Sequence, residues 1–292
     1  MMSSMQLSQL QQVTGGVLLG EDRSFGAVST DTRNLKAGDL FVALKGPNFN
    51  GNTFIETAAA KQAAASLVSE HLSAALPSLE VKDTRIALGQ LGRHNRLQST
   101  ACVVALTGSQ GKTTVKEMTA AILQQSGAVL STQGNLNNDY GVPLTLLRIE
   151  REHRYAVIEM GANAGGEIAY TTTLAQPDVA HITCVAPTHV VGFGSLAGVA
   201  QAKAEIWQGL RSEGVAVLNL DDANIMENFI PLPGVRVITI SANGKSLADY
   251  RLASMVDEGL SGTRFTLETP QGNVSVALNL PGRHNAANAL AA

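Results

Sequence analysis

Lys112 and Thr113 follow a glycine-containing turn, Thr107-Gly108-Ser109-Gln110-Gly111, and precede Thr114. A lysine ammonium neutralises β- and γ-phosphate oxygens, and a threonine hydroxyl can ligate Mg²⁺. Glycines let backbone amides come close to a polyphosphate. The apolar run 103–106 before the turn reads as one buried strand, and 115–123 after it reads as a helix. Strand, turn and helix N-terminus gather several N–H groups and the positive end of a helix dipole around one point. The expected ligand is ATP or a close relative. The usual G-x-x-x-x-G-K-[ST] spacing starts with a glycine at position 106, where this chain has Leu106, and Gly108 stands in the turn instead.

The elements that must carry this chemistry alternate along the chain. Residues 155–160, 179–185, 214–220 and 235–240 are apolar runs of strand length, and 196–210 is helical in pattern. Such alternation predicts a mainly parallel sheet with helices on both faces. Glu159 ends one run, while Thr188, His189 and Asn219 end or follow others. In open α/β sheets ligands collect at the carboxyl ends of strands, so these groups should converge on one edge with the glycine turn. Residues 264–269 and 274–278 alternate around Pro270-Gln271-Gly272-Asn273, which predicts a β-hairpin.

The first eighty residues read as a smaller α/β unit. A strand at 38–44 ends in the turn Lys45-Gly46-Pro47. An alanine-rich helix spans 54–65, capped by Asn52 or Thr53. Strands at 66–69 and 79–81 follow, and then a helix over 84–97. The expected fold class is α/β: an N-terminal domain over 1–83, then a P-loop domain over 84–292 with a mainly parallel sheet, helices on both faces and a small antiparallel β extension.

At 292 residues, 45% hydrophobic and net charge −3, the chain can bury a real core and offers no basic surface for nucleic acid. Lys, Glu or Gln interrupts its most apolar segments, so no membrane insertion is expected, and the N-terminus lacks the pattern of a signal peptide. Cys102 and Cys184 fit small core residues in a reducing cytoplasm.

Longer motifs make the reading specific. Gly134-Asn135-Leu136-Asn137-Asn138-Asp139-Tyr140-Gly141, Glu159-Met160-Gly161-Ala162-Asn163, Gly192-Phe193-Gly194-Ser195, Ala202-Lys203-Ala204-Glu205 and Gly282-Arg283-His284-Asn285-Ala286-Ala287-Asn288 resemble the Mur ligases. Within them they are most similar to the branch that adds D-alanyl-D-alanine to UDP-N-acetylmuramoyl-tripeptide. The resemblance implies an ATP-dependent peptide ligase of peptidoglycan synthesis that proceeds through an acyl phosphate and acts as a cytoplasmic monomer. It implies Mg²⁺ on Thr113 and Glu159, and a second Mg²⁺ served by His189 and a carbamylated Lys203. It also implies an adenine site at Asn285 and Asn288, with Asn137 and Asn138 near the γ-phosphate or second metal. Ser29, Thr30, Asp31 and Arg33 would hold the uridine diphosphate portion. The family has a third, Rossmann-like domain, which this sequence, ending at Ala292, does not contain. A piece of this extent is expected to bind nucleotide weakly and to ligate poorly. The alternatives are a folylpolyglutamate synthase-like ligase, against which Met160-Gly161-Ala162 and 135–138 argue, and a non-catalytic nucleotide-binding fragment.

Overall fold

The computed structural model describes residues 4–70, 76–188, 190–257 and 259–292. The chain forms two compact units, one of residues 1–100 and 139–152, the other of 101–138 and 153–292.

In the first unit α1 (Leu7–Thr14) precedes a five-stranded sheet of β1 (Val17–Leu19), β2 (Val28–Ser29), β3 (Leu40–Val42), β4 (Ala65–Val68) and β5 (Ser78–Glu80). The order is β1-β5-β4-β3-β2, with β1 antiparallel. Successive strand residues point to opposite faces. Leu40 and Val42 therefore enter the core with Leu7, Leu10 and Leu88, while Phe41 and Ala43 pack with Ile55 and Ala58 on the other side.

The alanine-rich helix is shorter than expected. A 3-10 turn over Gly51–Phe54, capped by Asn50, whose side chain accepts from Asn52 N at 3.0 Å, leads into α2 (Ile55–Ala60), whose own N-terminus has no side-chain cap from Asn52 or Thr53. Gln62 at φ 60 then stops the helix, and the chain turns into β4.

The following helix, α3 (Thr84–Leu97), is capped by Asp83, whose carboxylate accepts from the amides of Arg85 and Ile86 at 2.7 and 3.1 Å. It belongs to the first unit. Ala87, Leu88 and Leu91 enter that core, and Gly92 packs so closely on the helix Gly141–Leu146 that an added Cβ would lie 3.0 Å from Pro143. The division expected at Asp83 thus moves to residue 100, and the chain returns to the first unit over 139–152.

The second unit holds β6 (Cys102–Thr107), α4 (Lys112–Gln124), β7 (Ala128–Ser131), β8 (His153–Glu159), α5 (Glu167–Ala175), β9 (Val179–Ile182), α6 (Leu196–Ala204), β10 (Val215–Asn219), β11 (Arg236–Ser241), β12 (Tyr250–Asp257), β13 (Thr263–Thr269), β14 (Gly272–Leu278) and α7 (Arg283–Ala291). Among the described residues the strands make one nine-stranded sheet, β7-β8-β6-β9-β10-β11-β12-β13-β14, parallel from β7 to β12. The last two strands run antiparallel and form the expected hairpin. Central strands are buried on both faces, which explains their near-continuous apolar sequences. Among the described residues no helix is long and apolar enough to cross a membrane.

Candidate functional site

Strand register builds the site. Leu106 pairs with Glu159 on β8 and with His181 on β9, so three strands end at one level. Beyond β6 the chain bends at Gly108 (φ 150) and Gly111 (φ 78), where a side chain would be strained. It would also collide: a Cβ at Gly108 would lie 1.8 Å from Thr183 Oγ1, and one at Gly111 would lie 2.7 Å from Asn288 Oδ1. The turn is braced along the extension of β9. Thr183 Oγ1 donates to Gln110 O at 2.5 Å, Ser109 N donates to Cys184 O at 2.8 Å, and Ser109 Oγ donates to Ala186 O at 3.0 Å.

Helix α4 starts at Lys112, and the amides of its first turn have no carbonyl one turn back within the helix. Lys112 Nζ folds over the turn and donates to Gly108 O at 2.9 Å. The arrangement presents N–H groups, a helix N-terminus and an ammonium, a donor set suited to a polyphosphate.

Glu159 is 2% exposed and faces the start of α4. Its carboxylate accepts from Thr113 Oγ1 at 3.1 Å and from Asn137 Nδ2 at 2.8 Å, and its own amide donates to Thr132 Oγ1 at 3.0 Å. Among the described residues no group of three or more His, Cys, Asp or Glu could hold a metal. Mg²⁺ does not require one: it commonly takes one or two carboxylates and completes its shell with phosphate oxygens and water. A buried carboxylate bonded to a threonine hydroxyl, beside a turn whose donors suit a polyphosphate, fits that ion.

Beside this pair lies a cavity of about 210 Å³, lined among others by Lys112, Asn137, Asn138, Asn163, Thr188 and Lys203. Lys203 is buried on α6. Burial, helped by the nearby Lys112 charge and opposed by Cys184, pushes its amine down to about 8. His189 lies outside the described residues. Asn288 on α7 abuts Gly111 and lines a second cavity of about 40 Å³ with His181, Thr183 and Asn219. Asn285 does something else, its amide donating to Pro281 O at 2.8 Å at the start of α7.

Several residues at the site gave no signal in the sequence. Lys116 and Thr132, buried behind Glu159, look like a solvated helix lysine and a loop threonine. His181 is buried, with Nδ1 3.0 Å from Val217 O. Since a carbonyl only accepts, Nδ1 carries the proton. Desolvation pushes the imidazole down to about 4, and Nε2 has no hydrogen-bond partner among the described residues. Only the apolar character of the run 179–185 hinted that this histidine would be internal.

The Ser29–Arg33 stretch belongs to the first unit. Ser29 Oγ donates to Asp31 O at 2.9 Å, and Arg33 grips the Asp31 carboxylate through Nε at 3.0 Å and Nη2 at 2.6 Å. That grip holds Asp31 down at about 2, while the Arg33 side chain is 87% exposed.

The sequence profile of the Mur ligase middle domain matches residues 106–292, and that of the Mur ligase family catalytic domain matches residues 25–96. The chain belongs to the Mur ligase family. UDP-N-acetylmuramoyl-tripeptide--D-alanyl-D-alanine ligase of Escherichia coli K12 is 52% identical over 291 residues, which is 100% of this chain and 64% of that protein. A crystal structure of MurF from Acinetobacter baumannii matches with a TM-score of 0.92 at 37% identity, covering 99% of this chain and 64% of that one. The MurF ligase of Thermotoga maritima in complex with ADP matches with a TM-score of 0.80 at 26% identity, covering 91% of this chain and 61% of that one. This Mur ligase chain therefore spans less than two thirds of the length of these relatives.

Proposed function

We propose that the chain is part of an ATP-dependent ligase that joins D-alanyl-D-alanine to UDP-N-acetylmuramoyl-tripeptide. The observation that carries this reading is the 52% identity to the E. coli ligase across 291 residues, which include every motif of the site. In such a reaction an oxygen of the peptide carboxylate attacks the terminal phosphorus of ATP and ADP leaves. The amine of D-alanyl-D-alanine then attacks the acyl carbon, phosphate departs, and the amine gives up a proton.

The residues fit these demands. Phosphoryl transfer needs alignment and charge neutralisation more than covalent help. The amides at 108–114 would bind the phosphates, and Lys112 would release Gly108 O to meet them. Thr113 and Glu159 would hold Mg²⁺, which when bound supplies positive charge against the phosphate oxygens. Asn137 fixes Glu159, and Asn138 lines the cavity where the acceptor carboxylate would enter. Asn288 borders the turn on the side where the adenosine would lie, with Asn285 setting the helix that carries it.

The lowered basicity of Lys203 supports carbamylation: a neutral amine attacks CO₂, forms an N–C bond and releases a proton, leaving an anion. That anion, with His189, would serve a second Mg²⁺. Ser29, Thr30, Asp31 and Arg33 would take the uridine diphosphate portion, an arginine suiting a diphosphate. The same reading makes the protein a cytoplasmic monomer.

Phosphate release tests it. With ATP and Mg²⁺, UDP-N-acetylmuramoyl-tripeptide should stimulate release while a folate acceptor and no acceptor do not. Stimulation by the folate would favour the folylpolyglutamate synthase alternative, and ATP binding with no stimulation by either would favour a non-catalytic nucleotide-binding role.

A further inference from the structure

Behind the Glu159 carboxylate stands a lysine that the chemistry above does not use. Lys116, three residues after Thr113 on α4, is 1% exposed. Taking an ammonium out of water is costly, and an apolar side chain of similar length would fill the space more cheaply. Its neighbour Glu117 accounts for little: their contact is 2.9 Å, but the Glu117 side chain is 64% exposed, where ion pairs contribute weakly.

The other contact is more telling. Lys116 Nζ donates to Thr132 O at 2.8 Å in a buried bond. Thr132 in turn donates its amide to Val157 O at 3.0 Å and accepts the Glu159 amide on Oγ1 at 3.0 Å. Five residues later Asn137 donates to the Glu159 carboxylate at 2.8 Å and accepts Gly161 N on its carbonyl at 2.7 Å. The segment 132–137 thus holds Glu159 by its backbone and by its carboxylate, and Lys116 fastens the start of that segment to the helix that bears Thr113.

We propose that Lys116 is a positioning residue: by tying the 132–137 segment to α4 it keeps the Glu159 carboxylate aligned with Thr113 for a divalent cation. The proposal rests on the reading of Thr113 and Glu159 as the Mg²⁺ pair. A neutral or detached side chain at 116 would leave the phosphate-binding turn intact while loosening the carboxylate.

The test is ADP binding by calorimetry, with Mg²⁺ and with EDTA, on this chain and on Lys116→Met, Lys116→Arg and Thr132→Val. Lys116→Met should keep the wild-type affinity in EDTA and lose about tenfold of the Mg²⁺-dependent gain, a loss typical of removing a residue that orients a metal ligand. Lys116→Arg, which keeps charge and donors, should recover part of it. Thr132→Val removes the acceptor of the Glu159 amide but keeps the carbonyl that Lys116 bonds, so it should show the same selective loss and tests the segment's hold on Glu159. If Lys116→Met does not fold, Lys116→Arg decides the matter through a partial loss confined to the Mg²⁺-dependent gain. Equal losses with and without Mg²⁺ would mean a merely structural role and overturn the proposal, as would a full Mg²⁺ gain in Lys116→Met whatever Thr132→Val does. A wild-type chain with no Mg²⁺ gain would remove the metal pair itself and the proposal with it. Failure of the ligase reading would look different: Mg²⁺-dependent ADP binding without acceptor-dependent phosphate release.

Discussion

The glycine turn at residues 107–114 and the Ser29–Arg33 loop are both motif segments rich in small polar residues, yet they are built in opposite ways. Around the turn the motif residues are gripped by distant parts of the chain: Thr183 holds Gln110, Thr132 and Asn137 hold Glu159, and Lys116 holds Thr132. In the loop the side chains satisfy one another within a few residues, a distant bond from Lys61 Nζ to Arg33 O at 3.3 Å is exposed, and Arg33 lies open to solvent on Asp31. Long-range, buried hydrogen bonds fix geometry before a ligand arrives, whereas a local exposed pair must open to receive one. Substitutions should therefore be far more damaging at the first region than at the second.

The largest effect is expected at Lys112. Lys112→Met removes the ammonium while keeping the helix, and should weaken ATP–Mg²⁺ binding by about 10–100-fold, the scale of a charged hydrogen bond. Wild-type affinity in calorimetry would break the contrast. Next comes Gly108→Ala, whose methyl meets Thr183 Oγ1 in a backbone conformation that disfavours side chains. We expect a stability loss of about 1–3 kcal/mol from strain and overpacking, read as a lower denaturant midpoint.

Lys203 sharpens the comparison through pH. Its folded value near 8 lies below the ordinary 10.5, so between these values the unfolded chain binds more protons. Stability should accordingly rise with pH across that window, and Lys203→Met should lack this rise in thermal melts taken from pH 8 to 10.5. The smallest effect belongs to the exposed loop. Asp31→Asn should leave the melting temperature nearly unchanged at pH 7, because exposed ion pairs contribute little. Its folded carboxyl value of about 2 lies below the ordinary 3.8, so the pair's contribution is present above pH 3.8 and fades as pH falls through about 2. A difference between wild type and variant that grows on acidification would contradict this.

What the sequence could and could not reveal follows the same division between local and distant causes. The turn from Thr107 to Thr114 was legible because strand, glycines and helix start are consecutive, and Glu159 because it ends an apolar run. The antiparallel hairpin was legible from alternation around its turn residues. Lys116 was not, since a lysine in a helix looks solvated unless the segment covering it is known. The edge strand β7 gives little signal because it buries only Leu130 and carries no sustained apolar run, and β12 because its apolar residues are scattered. Helix α3 shows an apolar face in sequence, but nothing local says which core receives it, and it is the first unit's core that does. The alanine-rich stretch after Phe54 has helical propensity to Ala65, and sheet pairing by β4 overrules its last third.

If residues 107–114 and Glu159 form one Mg²⁺–nucleotide site, the two ligands must meet there. A crystal structure of this chain grown with ADP and Mg²⁺ tests it most directly. We expect the diphosphate against the amides at the start of α4, Lys112 Nζ moved from Gly108 O to a phosphate oxygen, and the metal touching Thr113 Oγ1 and the Glu159 carboxylate. Nucleotide bound elsewhere, or a metal that leaves Glu159 on Thr113 and Asn137 alone, would contradict a shared Mg²⁺–nucleotide site at the turn.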